Sequence, residues 1–314
     1  MRLTIILAAV ITLALTGLPA ASLAQSTTAA ERTTQEKRSI RYRLVTAGRQ
    51  RMLAERLAAK LCLLEGGLRT QRNWQEFYVA WNIYRWYHLG LVRGNVQLQL
   101  IPERNRAVIA AWRDVDAQWA TLDDIYGSVV NGDTLPPDGL GRVIALTETV
   151  TSASTDVVAA LRAAYAQDLG ARGFGEALLL DLYERQRMLG QRIAKDVCMI
   201  ARGDDQGDDR ADDRADDSAS RIEDLSTTID RFDLSLDAFR TGLQDAGVPK
   251  PPTDQIARDL DAAKTAWQTA SPVARATVAG DPLDPIALIS FFDEMEAVNV
   301  TMTAAINALV ARTE

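Results

Sequence analysis

The sequence predicts an all-α protein, built as two tandem up-down four-helix bundles packed through parallel first helices. Three observations predict it. Ala, Leu, Arg, Gln and Glu dominate, and alternating β-branched runs are scarce, which favours helix over strand. Glycine- and proline-rich breaks cut the chain into segments of helical length. The second half of the chain repeats the first.

The repeat is read from Arg49 to Ala58, RQRMLAERLA, and Arg185 to Ala194, RQRMLGQRIA. One offset of 136 residues carries Leu44 onto Leu180, Leu61 onto Val197, Cys62 onto Cys198 and Leu64 onto Ile200. Beyond Gly203 the offset lengthens, pairing Gly94 with Gly242, Trp119 with Trp267 and Gly132-Asp133 with Gly280-Asp281. An acidic insertion in one loop accounts for the difference. The expected copies are residues 34–169 and 172–314.

The elements follow in order. Residues 1–24 have the pattern of a secretory signal peptide: Met1-Arg2, an apolar run from Leu3 to Leu18, and the small-x-small site Ser22-Leu23-Ala24. An uncleaved anchor is the alternative. No Cys follows the run, which argues against a lipoprotein. No later stretch reaches the ~20 apolar residues of a membrane helix. The expectation is a soluble periplasmic chain from about Gln25, with no stable membrane insertion after cleavage. In the first half, breaks fall at Gly66-Gly67, Ile101-Pro102 and 131–141; in the second, at the acidic run, 247–252 and 280–285. The stretch 170–175 separates the halves. Four helices joined by short loops make an up-down bundle, and an even number returns the chain to its starting end. The first helices of the two halves can therefore lie parallel.

The net charge of −7 argues against nucleic acid as a partner, which demands a basic face. Much of that charge lies in 203–220, GDDQGDDRADDRADDSAS, expected to be a solvated acidic loop. A calcium loop is the alternative, but the ordered Asp/Asn spacing, central Gly and closing Glu are missing.

On a helical wheel, Leu53, Leu57, Leu61, Leu64 and Leu68 form one stripe, repeated by Leu189, Ile193, Val197 and Ile200. Arg51 points about 160° away from Leu53. On that far side Leu44, Gly48, Arg51, Glu55, Ala58 and Cys62 follow a four-three heptad step, as do Leu180, Glu184, Arg187, Gln191, Ala194 and Cys198. If the two seams meet in parallel register, Cys62 faces Cys198, as a disulfide or as two separate buried thiols. Arg51 then faces Arg187. Two guanidinium groups cannot shed their charge by deprotonating, so a small anion between them is expected, with Glu55 and neutral Gln191 one turn on. The alternative is that both arginines reach solvent or pair with carboxylates elsewhere.

The segment 74–87 is rich in aromatics. Trp74, Phe77, Tyr78, Trp81 and Tyr84 follow core spacing, whereas Trp86 and Tyr87 fall off it and could meet a partner. His88 is the single histidine, there is no C-x-x-C-H, and two cysteines 136 residues apart make no zinc pattern. No catalytic constellation, metal site or cofactor is therefore expected.

The segments Ala47 to Lys60, AGRQRMLAERLAAK, and Glu184 to Lys195, ERQRMLGQRIAK, resemble the signature of the PilJ-type sensor domain. This domain forms the N-terminus of type IV pilus methyl-accepting chemotaxis transducers and is shared with NarX/NarQ-like nitrate/nitrite sensor kinases. The resemblance implies a periplasmic helical bundle, a ligand held between two parallel first helices, and signal transduction through a membrane-bound sensor or chemoreceptor. It places the ligand arginine on Arg51 and Arg187, a second motif arginine on Arg56 and Arg192, and the motif glycine on Gly48, where the second copy has Glu184. A tandem repeat would be an intrachain version of the family's dimer. A structural envelope protein without a ligand is the other reading.

Overall fold

The computed structural model describes residues 29–68, 70–203 and 211–312; the expected signal segment, 1–24, lies outside them. Seven long helices carry the chain: α1 (Ala29–Glu65), α2 (Thr70–Arg93), α3 (Arg106–Val130), α4 (Gly139–Arg202), α5 (Ala211–Thr241), α6 (Asp254–Ala279) and α7 (Pro285–Ala311). Among the described residues, β-structure is limited to two isolated bridges, Asn95 with Leu100 and Leu243 with Val248. None of the described helices is long and apolar enough to cross a membrane.

The helix boundaries have local causes. Asn105 accepts hydrogen bonds from the amides of Ala107 and Val108 and so starts α3. Thr253 caps α6 through Ile256, and Asp284 caps α7 with Pro285 in the first turn. The helix α4 is not one rod. At Gly170, φ 67° and ψ 174° occupy a region essentially reserved for glycine. The arms 139–169 and 171–202 then run antiparallel: Arg162 lies 3.7 Å from Asp181, and Glu148 lies 3.8 Å from Lys195. The expected break at 170–175 is thus a reversal at a single residue.

Four helical segments form each half: α1, α2, α3 and the first arm of α4, then its second arm, α5, α6 and α7. Between the halves α1 runs parallel to the second arm. Arg41 pairs with Glu176 at 3.7 Å, Arg49 with Glu184 at 3.0 Å, and Cys62 is disulfide-bonded to Cys198 with their Cα atoms 6.3 Å apart. Both faces of α1 are consequently buried. Leu57 and Leu61 point into their own half, while Ala58 and Cys62 lie at the seam. Small residues there let the backbones close. A Cβ on Gly48 would sit 2.7 Å from Glu184 Cβ, so the glycine makes room for the side chain that replaces it in the second copy.

Contacts recur between the halves. The Gln50 amide donates to the Tyr84 carbonyl and that of Gln186 to Phe232, at 3.5 and 2.9 Å. Tyr84 packs on Trp119 and Phe232 on Trp267. The two bridges above stand at corresponding turns.

Two expectations are corrected. Helix α5 starts at Ala211, inside the stretch 203–220 read as a loop; residues 204–210 lie outside the described residues. Ala-rich sequence with acidic residues suits a helix N-terminus, where the macrodipole favours negative charge. On α2, Trp74 and Tyr78 are not core: both are 41% exposed and stack on each other. Phe77, Ala80, Tyr84, His88 and Leu91 set the buried face, and positions 74 and 78 rotate off it.

Candidate functional site

The seam between α1 and the second arm of α4 is layered with buried charge, and each layer is a consequence of the parallel register. The arginines predicted to face one another each have a carboxylate. Arg51 donates through Nη2 to Asp181, which Arg162 also approaches. Arg187 donates to Glu184 at 2.8 Å and to Asn299 of α7 at 3.0 Å. The anion expected between Arg51 and Arg187 is therefore not demanded by charge. The carboxylates of Asp181 and Glu184, about two turns and one turn upstream of Arg187, do that work. Glu184 was legible as a departure from the motif glycine; Asp181 carried no signal, because only the fold turns it toward α1.

One layer on, Glu55 does not serve Arg51. Its carboxylate lies 3.0 Å from Lys195 Nζ and 3.6 Å from Arg192 Nε. Glu55 and Lys195 are fully buried, and their separation is that of an ion pair without hydrogen-bond alignment. The Lys195 ammonium is held above its ordinary pKa: burial acts against it, but Glu55 and Asp196 outweigh burial. Asp196, 3.7 Å from Lys195, is itself pushed up to about 6 by burial, with Glu55 adding to the rise against Lys195 and Arg192. Gln191 is buried in the same region, and Arg192 is partly exposed. This layer is closed.

The Arg187 layer opens onto a cleft of about 370 Å³ between the halves, with α1 as its base and α2 and α7 as its sides. Arg49 and Arg56 from the first copy and Arg187 from the second all line it. Met52, Leu53, Val79, Ala80 and Ile83 form an apolar wall. Arg49 donates to Glu184, to the Tyr87 hydroxyl at 3.4 Å and to Asn307 at 3.1 Å; its pKa is raised because Glu184 and Tyr87 outweigh burial. Arg56 bonds Glu296 and lies 3.4 Å from Glu76. Glu76 also pairs with Lys60 and Arg72, and Arg72 with Asp293. Two clusters result: Arg56, Lys60 and Arg72 pair with Glu76, Glu296 and Asp293. Separately, Arg49 and Arg187 share the single carboxylate of Glu184, so these two guanidinium groups carry one positive charge in excess of it. Burial lowers the Arg187 pKa, Glu184 opposes that, and Arg49 and Arg56 add to the lowering.

Of the predicted residues, the structure brings Arg56 and Arg187 to one cleft, joined by Arg49 of the same motif. It sends Arg51, Glu55 and Arg192 into the closed layers, and leaves Gly48 as the spacer beneath Glu184. Sequence reading missed a further buried pair. Arg43 binds Glu103 at 2.6 Å and donates to the carbonyls of Leu91 and Ile101, clamping the turn after α2. His88 is structural: it lies 2.8 Å from Asp116 and stacks on Trp112, and burial lowers its pKa. Among the described residues no group of three His, Cys, Asp or Glu is placed to hold a metal.

Fold and site define a class: an all-helical protein whose parallel central helices bury paired charges and open an arginine-lined cleft beside them. The sequence places that class more closely. Residues 185–290, about a third of the chain, match the PilJ model, described as the type IV pili methyl-accepting chemotaxis transducer N-terminal domain. Over this segment the chain is similar to that sensor domain. The match begins at the Arg185 motif and ends on α7. No curated protein and no solved structure matches the chain.

Proposed function

We propose that the protein is an exported, periplasmic ligand-binding module made of two tandem PilJ-type copies. It takes a small monovalent anion in the cleft between them and presents the bound state to a membrane-bound sensor or chemoreceptor. The observation that carries this reading is the convergence of Arg49, Arg56 and Arg187, contributed by both copies of the motif, on one cleft with one uncompensated positive charge. A guanidinium group has five N–H donors, and two of those of Arg187 are engaged, by Asn299 and Glu184, so it retains donors for an anion at the floor. The recurrent contacts of the two halves support the tandem reading. Nitrate and nitrite enter through the family resemblance, as members of the anion class.

A ligand bound only to the folded state raises the melting temperature. A melting series in nitrate, nitrite, chloride, sulfate and acetate at constant ionic strength tests the proposal. A specific rise with a monovalent anion, lost in Arg49→Gln, is expected; equal response to all salts would refute it. One observation favours a structural envelope role instead: Arg51, Arg56, Arg187 and Arg192 all have carboxylate partners. That reading predicts the equal response.

A further inference from the structure

The shape of the cleft says more about its occupant than the charge does. Its volume of about 370 Å³ falls near the lower end of the range for organic ligands, roughly 300–1,000 Å³. A water molecule's share of the liquid is about 30 Å³, so a four-atom inorganic ion would leave most of this space to solvent. Nor is the polarity uniform. Arg49, Arg187, Asn299, Thr303 and Tyr87 line the cleft, as do Arg56, Gln75 and Glu76, while Leu53, Val79, Ala80 and Ile83 offer no hydrogen-bonding side chain. An oxyanion bound by the arginines would leave that wall wetted and unused.

Arg187 is the fixed point. It is buried, its Nε and Nη1 are oriented by Asn299 and Glu184, and it comes from the opposite half to the apolar wall. An occupant touching both must bridge the halves. The wall is preformed on two helices, α1 and α2, and Val79 at its rim is 53% exposed, so it has apolar surface available for contact.

Resting on the anion reading above, we infer that the ligand class is a monocarboxylate with an apolar body: its carboxylate meets Arg49 and Arg187, and its hydrocarbon part lies along Leu53, Val79, Ala80 and Ile83. The bidentate fork of an arginine matches a carboxylate, and one negative charge balances the excess on Arg49 and Arg187. Each methylene laid on the wall contributes through the hydrophobic effect.

Calorimetric titration of the purified protein with acetate, butyrate and hexanoate tests this, with nitrate, hexanol and hexylammonium alongside. Affinity is expected to rise by up to about fourfold per methylene, the factor that ~0.8 kcal/mol corresponds to. Hexanoate should bind at least tenfold tighter than acetate or nitrate, and hexanol and hexylammonium should not compete. Val79→Asp, a change at an exposed position that spares the core, should abolish the dependence on chain length, read as the ratio of hexanoate to acetate affinity. Nitrate or acetate binding as tightly as hexanoate would overturn the inference and leave the anion reading standing. Hexanol binding as well as hexanoate, or no binding by any anion, would overturn both. An unchanged chain-length series in Val79→Asp would remove the apolar wall from the site.

Discussion

Two charged layers of the same seam have opposite outcomes. At Glu55, Lys195 and Asp196 the charges are buried between α1 and both arms of α4, with only Glu148 and Arg192 among their partners reaching solvent. At Arg187, Glu184 and Asn299 the seam meets α7 and α2 instead, and a cleft opens. The same motif supplies both layers. What differs is the flanking helix: the first arm of α4 lies close because the chain reverses at Gly170, whereas α7 and α2 stand apart. Buried charge is thus a structural element where it is enclosed, and a candidate recognition element where a wall is missing.

The comparison can be broken most forcefully at the closed layer. Replacing Glu55 with Ala leaves the buried Lys195 without its nearest counter-charge, and a stranded buried charge costs about 3–5 kcal/mol. Equilibrium urea unfolding should show this loss, with no change in ligand response if the variant is still folded. A loss below 1 kcal/mol would show that the layer is wetter than its geometry implies.

Next in size is the staple. Opening the Cys62–Cys198 disulfide frees a long loop in the unfolded chain and should cost about 2–4 kcal/mol. Melting with and without reductant measures it, using Cys62→Ala/Cys198→Ala as a control that should not respond to reductant.

Gly48 packs against Glu184 of the open layer. A methyl group there meets Glu184 Cβ, and overpacking of this kind costs about 1–3 kcal/mol, less the helix propensity gained by alanine. Because Glu184 orients Arg187 and Arg49, Gly48→Ala should also weaken any anion-dependent rise in melting temperature. Stability lost without that weakening would separate the spacer from the site.

The smallest effect sharpens the closed layer by pH. The folded-state pKa of Asp196, about 6, lies above its ordinary value of 3.8, so the folded protein holds this proton more tightly than the unfolded chain. Stability from this group therefore falls as pH rises from about 4 to about 6 and stays low above that. Asp196→Asn should be more stable than the parent at pH 7.5, and the gain should vanish below about pH 4. The charges facing it, Lys195, Glu55, Arg192 and Arg221, are unchanged by the substitution. A gain that persists at low pH would assign the effect to packing instead.

Much of the fold could be read from residues alone. The duplicated motif, the leucine stripe and the heptad step on the far face placed Cys62 opposite Cys198 and set α1 parallel to its counterpart, because helical periodicity is a property of local sequence. The same wheel misjudged Trp74 and Tyr78. A three-four spacing tolerates two neighbouring faces, and only packing against α1 and α3 chooses between them.

For the site, sequence alone determined which residues are charged, which recur, and that the arginines lie off the core stripe. It supplied the motif at which the similarity of residues 185–290 to the PilJ-type sensor domain begins. Tertiary structure decided the partners. Asp181 and Glu184 neutralise Arg51 and Arg187, Lys195 claims Glu55, and Arg49 joins Arg56 and Arg187 at a cleft. The reason is physical: periodicity fixes the direction a side chain leaves its own helix, but the charge it meets belongs to another helix, and the space left open depends on where all of them come to rest.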